Sequence, residues 1–183
     1  MNNSSNILVL GSTGQVGKLV AKYLRRSEAK LSVGTRRKAN LEEFADQFGS
    51  SRFIDLDDPR TFDEALKNIT SIFLITGYTV DMLVQSKSLI DAAKRNGVNH
   101  IVHLGAFTRD HDVYATVFAW HQMIEAYLRD SGVAWTNLHP NMCLCRVFCQ
   151  YGQSRVPYTV HTLQCRWVYC FGRRGRSCSR NSH

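Results

Sequence analysis

Short apolar runs alternate with amphipathic segments along residues 1–142. The apolar runs cover residues 6–10, 30–35, 52–56, 71–76, 99–104 and 133–138, and such runs are typical of buried parallel strands. Between them, apolar residues recur at helical spacing in residues 15–26, 41–48, 59–66, 81–96 and 114–130. Strands that alternate with helices form right-handed βαβ units. We therefore predict an α/β fold, a Rossmann-type doubly wound parallel sheet with the strand order 3-2-1-4-5-6.

The composition changes abruptly at about Met142. The chain has 183 residues and a formal net charge of +8. Residues 1–142 carry 16 Lys and Arg against 15 Asp and Glu, whereas residues 143–183 carry seven Arg and no Lys, Asp or Glu. All six cysteines also lie beyond Met142. We therefore predict one folded domain over residues 1–142 and a separate Arg- and Cys-rich tail over residues 143–183.

Three interpretations of the tail remain open. Arg beside aromatic residues, as at Arg166 and Trp167, suggests a nucleic-acid arm, but the near-neutral charge of residues 1–142 argues against a nucleic-acid partner. The cysteine spacing matches no familiar zinc pattern, so we predict no metal. A frameshifted reading frame would explain why Arg and Cys are frequent while Ala, Lys, Asp and Glu are missing. The favoured hypothesis is that residues 143–183 are frameshifted or disordered, which leaves the C-terminal part of the fold truncated.

The sequence shows no sign of a membrane segment or a secretory signal. No run approaches 18 uninterrupted apolar residues, which a membrane-spanning helix would need. The first six residues are polar and contain no cationic stretch followed by an apolar run. We therefore expect a cytoplasmic protein without a membrane partner.

A glycine motif, GSTGQVG, occupies residues 11–17 between the first strand and the first helix. Glycines at such a turn let the backbone approach a pyrophosphate closely. The helix that follows points its free N–H groups and its positive end at the same anion. The motif predicts a dinucleotide site, although a tight turn without a ligand would use the same residues.

Two further segments agree with a dinucleotide. Arg36 and Arg37 follow the second strand, where an acidic residue favours NAD and an arginine accommodates the 2′-phosphate of NADP. Asp55 follows the third strand and could accept a hydrogen bond from an adenine amino group. The alternatives are that the arginines are only solvated charges, and that Asp55, Asp57 or Asp58 caps the helix that begins at Pro59.

These segments together resemble the NmrA-like branch of the atypical short-chain dehydrogenase/reductase family, nearest to its NAD(P)H:quinone oxidoreductase type. The resemblance is carried by the glycine motif, Arg36, the DLDDP segment at 55–59, the strand at 72–76 and the SGVAWTNLHPNM segment at 131–142. It covers residues 1–142 and none of the tail. It implies an oxidoreductase that uses NADPH in preference to NADH to reduce quinone-like small molecules. The alternative is a non-catalytic NADP-sensing regulator that acts on a protein partner.

The resemblance also implies contacts for the cofactor. The 2′-phosphate would contact Arg36, and the adenine would contact Asp55 and Leu56. Thr76 and Gly77 would lie along the middle of the cofactor, and Pro140 and Asn141 near the nicotinamide. The pyrophosphate would contact the residues of the glycine motif: Gly11, Thr13, Gly14, Gln15 and Val16.

The catalytic residue is harder to predict. The Tyr-x-x-x-Lys pair of many reductases in the wider superfamily is absent from the sequence. His121, on the fifth helix, stands about where the resembling family has Lys or His, so it is our candidate for a catalytic residue. The alternative is a half-exposed helical histidine paired with Glu125, four residues later. We expect structural roles for His100 and His103, and we expect Tyr78 to lie at the mouth of the cleft.

Overall fold

The computed structural model describes residues 5–106, 116–140 and 167–172, and these contain one sheet of seven strands. The strands are β1 (Asn6–Val9), β2 (Lys30–Thr35), β3 (Ser51–Phe53), β4 (Ser71–Leu74), β5 (His100–Leu104), β6 (Ala134–Pro140) and β7 (Trp167–Gly172). Their order across the sheet is β3-β2-β1-β4-β5-β6-β7, and the first six are parallel. The predicted Rossmann-type sheet and its order 3-2-1-4-5-6 are confirmed.

Helices connect successive parallel strands, as the alternating pattern predicts. They are α1 (Gln15–Leu24), α2 (Leu41–Phe48), α3 (Phe62–Leu66), α4 (Met82–Arg95) and α5 (Thr116–Asp130). The helix predicted over residues 59–66 is divided into a 3₁₀ turn at Pro59–Thr61 and the short α3. Pro59 suits the start of this turn because its missing N–H would have no partner there.

Three strands are shorter than their apolar runs. β1 stops at Val9, β3 at Phe53 and β4 at Leu74. The next residues are still apolar, and both Leu10 and Ile54 are buried. They belong to the turns at the carboxyl edge of the sheet, where they pack beneath the functional site. An apolar run therefore indicates which residues are buried, but it overestimates the length of the hydrogen-bonded strand.

The core lies on both faces of the sheet, because neighbouring strand residues point in opposite directions. On one face, Leu8, Ile72 and Leu74 pack with α3, α4 and α5. On the other, Val9, Val33 and Phe73 pack with α1 and α2. None of the helices among the described residues is long and apolar enough to cross a membrane.

The structure also has one strand that the sequence analysis did not predict. β7 pairs with β6 in antiparallel register, from Trp135 opposite Gly172 to Pro140 opposite Trp167. Its run of aromatic and branched residues, WVYCFG, is typical of a strand. The rest of the tail, including five of the six cysteines, lies outside the described residues. The domain boundary at Met142 and the frameshift hypothesis stay predictions.

Candidate functional site

A cleft of about 560 Å³ lies along the carboxyl edge of the sheet, where β1, β2, β3 and β4 end. The order of the strands reverses at β1: β2 and β3 lie on one side of it, and β4, β5 and β6 lie on the other. Ligands of open α/β sheets bind outside the carboxyl ends of the strands at such a point. The topology therefore places a binding site at this cleft.

The glycine turn forms the base of the cleft. Gly11 has a φ of +65°, which favours glycine, and its carbonyl accepts a hydrogen bond of 2.9 Å from the Gly14 N–H. A Cβ at Gly17 would lie 2.2 Å from the Gly11 oxygen, so the start of α1 packs against the turn only because residue 17 has no side chain. α1 has no side-chain cap at its first residue. Its first N–H groups thus face outward without intrahelical acceptors.

Two cations lie at the end of β2. Arg36 and Arg37 are exposed and line the cleft. Neither forms an ion pair with any of the described residues. Their charges are therefore available to an anion in the cleft.

The carboxylates that follow β3 have separate roles. Asp58 Oδ1 accepts from the Arg60 N–H and caps the 3₁₀ turn. Asp55, Leu56 and Asp57 line the cleft. Asp57 receives a hydrogen bond of 2.6 Å from the Gln85 side chain. Of the three carboxylates that the sequence offered as a helix cap, Asp58 is therefore the one that caps the turn, and Asp55 lines the cleft instead.

The segment after β4 forms the opposite wall. Gly77 lines the cleft, and a Cβ there would meet no atom closer than 3.9 Å. Thr76 is partly buried and does not line the cleft, and its Oγ1 is inaccessible to solvent and has no hydrogen-bond partner among the described residues. A buried hydroxyl without a partner is costly.

Six of the predicted cofactor residues line the cleft: Gly11, Thr13, Arg36, Asp55, Leu56 and Gly77. Gly14, Gln15 and Val16 lie just outside it, exposed at the start of α1, and Pro140 ends β6. Asn141 lies outside the described residues. Arg37 and Asp57, which the sequence also singled out, line the cleft as well, together with polar residues that the sequence did not indicate: Thr35, Asn40, Thr79, Asp81 and Gln85. Asn40 and Gln85 carry no local motif, so only the folded chain identifies them.

His121 lies in a cluster of rings beyond the cleft. Its ring centroid lies 5.5 Å from that of His103 of β5 and 6.0 Å from that of Tyr78, whose ring is nearly perpendicular to the imidazole. His121 is 3% exposed and His103 is 1% exposed. Neither imidazole forms a hydrogen bond to a described residue. Tyr78 itself is exposed, so this ring covers the cluster from the solvent side.

The alternative pairing of His121 with Glu125 is wrong. Glu125 Oε1 lies 2.7 Å from Nε2 of His139 on β6, and His121 is buried rather than half-exposed. His100 Nε2 lies 3.0 Å from Thr136 Oγ1, which agrees with the structural role expected for it. Within residues 5–106, 116–140 and 167–172, no group of His, Cys, Asp and Glu side chains could hold a metal ion.

The two buried histidines are hard to protonate. Burial lowers the pKa of His103 to about 3, and the charge of His121 acts in the same direction. Burial also lowers the pKa of His121, where Glu125 opposes the shift and His139 adds to it. Both imidazoles are therefore neutral at neutral pH, and each has one N–H donor and one acceptor nitrogen.

The sequence profile of the NmrA-like family matches residues 3–161, a range that extends past Met142. An NAD(P)H azoreductase from Xenophilus azovorans is 29% identical over 134 residues, which cover 73% of this chain and 47% of that protein.

Two solved structures share the fold. The triphenylmethane reductase of Citrobacter sp., solved with NADP(H), has a TM-score of 0.64 and 24% identity, over 71% of this chain and 47% of that one. The NADPH-dependent quinone oxidoreductase of Escherichia coli, solved with NADPH, has a TM-score of 0.60 and 26% identity, over 70% of this chain and 46% of that one. The chain spans about half the length of these relatives.

Proposed function

Because the chain belongs to the NmrA-like family, we propose that it binds NADP(H) in the cleft and reduces a quinone-like small molecule. The observation that carries the proposal is the cleft itself. It combines a glycine turn at its base with two unpaired arginines at its rim. A pyrophosphate and a 2′-phosphate need these two features.

The described residues fit a nicotinamide dinucleotide. Gly11, Thr13 and the backbone turn at Gly14 would hold the pyrophosphate together with the first N–H groups of α1, from Gln15 and Val16. Asp55 and Leu56 would bind the adenine. The unpartnered hydroxyl of Thr76 and the backbone of Gly77 would lie along the middle of the cofactor, and Pro140 near the nicotinamide.

The residues around His121 suit the reduction of a carbonyl-like acceptor. When bound, the nicotinamide supplies the hydride, which needs no protein acid. His121 is neutral, so it would orient the acceptor by donating an N–H hydrogen bond to one of its oxygens. Tyr78 would exclude water from one side of the same site. In this role His121 would be the catalytic residue.

Sequence relatives support the same chemistry. The azoreductase, the dye reductase and the quinone oxidoreductase are named for nicotinamide-dependent reduction or were solved with NADP(H). Their names give different substrates, and what they share is reduction with a nicotinamide cofactor.

Cofactor selectivity tests the arginine at the rim. We expect Arg36→Ala to raise the Kd for NADPH about tenfold, since a charge-assisted hydrogen bond contributes about 1.5 kcal/mol, and to leave the Kd for NADH unchanged. Titration of the cofactor fluorescence measures both constants. Lys38→Ala is the matched control, because Lys38 is an exposed cation two residues away that does not line the cleft. Equal loss of both cofactors in Arg36→Ala would refute this role for Arg36.

The alternative is an NADP-sensing regulator without turnover. The deep burial of His121 favours it, since a sensor needs no opening to a second substrate. Loss of NADPH absorbance in the presence of a benzoquinone distinguishes the two functions. NADPH binding without any quinone-dependent oxidation would contradict the reductase and favour the sensor.

A further inference from the structure

Glu125 and His139 form a nearly buried pair next to the proposed substrate side of the site. Glu125 Oε1 and His139 Nε2 are 2.7 Å apart, and the two side chains are 13% and 17% exposed. The pair joins α5 to the carboxyl end of β6. Such a contact is shielded from solvent, so it is stronger than an ion pair on the surface.

Residue 105 makes room for this pair. Gly105 follows β5, and a Cβ at this position would lie 2.6 Å from Glu125 Oε1 and 3.3 Å from the His139 ring. Any side chain there would push the carboxylate away from the imidazole. The glycine after β5 is thus explained by the pair and not by a special backbone conformation.

The pair lies between two residues of the proposed site. Glu125 is four residues after His121 on α5, so the two side chains share one helix face. His139 directly precedes Pro140, the predicted nicotinamide contact. A bond between Glu125 and His139 therefore fixes the helix that carries His121 relative to the edge of the sheet that would carry the cofactor.

The pair also sets the charge around His121. The groups that face His121 in the described part of the chain are His103 from β5, Tyr78 from the segment after β4, His139 from β6 and Glu125 from its own helix. The Glu125 carboxylate raises the pKa of His121, and the charge of His139 lowers it by a smaller amount.

We propose that Glu125 and His139 are positioning residues: their bond holds α5, which carries His121, against the carboxyl end of β6, and it pairs the carboxylate that would otherwise act on His121 alone, so that His121 is placed to donate a hydrogen bond to the substrate. The substrate contact in this inference rests on the proposed reductase function. The effect of the pair on His121 does not depend on that function.

The titration of His121 tests the pair directly. Histidine ring signals of the full-length chain are followed by NMR against pH, and the His121 signal is assigned from its loss in His121→Gln. His139→Gln removes the opposing charge and leaves the carboxylate unpaired beside His121. We expect the pKa of His121 to rise by about half a pH unit or more. Adding Glu125→Gln to this variant removes the carboxylate, so the pKa of His121 should fall again.

The double variant separates this role from simple loosening of the fold. Loosening would hydrate His121 and raise its pKa in both variants alike. No rise in His139→Gln, or the same pKa in the single and double variants, would overturn the proposal. His100→Gln is the matched control, because His100 is a partly buried histidine of β5 that bonds to Thr136 instead, and it should leave the titration of His121 unchanged.

These measurements need no cofactor. The Kd for NADPH and the quinone-dependent oxidation of NADPH are measured separately on the unsubstituted chain. A chain that fails to bind NADPH would contradict the proposed function while leaving the titration result intact. A chain that binds and turns over but shows no shift in His139→Gln would contradict only the pair.

Discussion

Gly17 shows how a single missing side chain shapes the site. The motif that contains it was recognised from spacing alone, yet its three glycines have different tasks. Gly11 takes a positive φ, and Gly17 lets α1 approach the Gly11 carbonyl. The obstacle that a Cβ at residue 17 would meet is backbone, which cannot rotate away as a side chain can.

We therefore expect Gly17→Ala to abolish cofactor binding and to lower the free energy of unfolding by about 1–3 kcal/mol, the usual cost of overpacking. Urea unfolding and NADPH titration measure the two effects. Gly77→Ala is the control for the loss of stability, since an added Cβ there would meet no atom closer than 3.9 Å. If the two variants lose the same free energy of unfolding, close approach of α1 is not what residue 17 provides.

At the scale of elements, α5 is fixed on its solvent side by α4. Tyr127 Oη donates a hydrogen bond of 2.5 Å to Asp91 Oδ1, and Lys87 Nζ lies 2.9 Å from Asp91 Oδ2 and 4.8 Å from the centre of the Tyr127 ring. Tyr127 is part-buried, whereas the Lys87 side chain is 53% exposed. The tyrosine is therefore the stronger link between the two helices, since Lys87 and Asp91 both belong to α4 and Lys87 reaches α5 through the face of the Tyr127 ring.

Tyr127→Phe should lower the free energy of unfolding by about 1 kcal/mol, because it leaves Asp91 without its donor from α5. Lys87→Met should cost less than about 0.5 kcal/mol, as is usual for an exposed ion pair. Urea denaturation monitored by circular dichroism compares the two. A larger loss in Lys87→Met would mean that the cation, and not the hydroxyl, holds α4 to α5.

For the molecule as a whole, the features that could be predicted are those that residues close together in the sequence determine. The alternation of apolar runs and helical faces was enough for six strands in their correct order, and the glycine motif located the cleft. The surroundings of His121 could not be predicted, because His103, Glu125 and His139 come from three different elements and come together only after folding. The strand at Trp167–Gly172 was missed because the composition of the tail outweighed its local β-propensity.

Buried histidines make the stability of the whole molecule depend on pH. His103 binds a proton near pH 6.5 in the unfolded chain but only near pH 3 in the folded one. The folded state is thus fully stabilised above pH 6.5, and this stabilisation is lost as the pH falls towards 3. The loss approaches about 1.4 kcal/mol for each pH unit.

His103→Gln should reduce the number of protons taken up on unfolding in this range by about one. The slope of the unfolding free energy against pH, measured by urea denaturation, gives that number whatever the absolute stability of the variant. An unchanged slope would show that His103 is readily protonated in the folded chain.

The central position of β1 has a consequence for synthesis. β1 leaves the ribosome before both of its neighbours, since β2 and β4 come from residues 30–35 and 71–74. One side of β1 therefore stays open until β4 has emerged. The wall that faces Gly11 is Ile75, the residue directly after β4. A nascent chain that ends before Ile75 thus carries the whole glycine motif without the surface against which it folds.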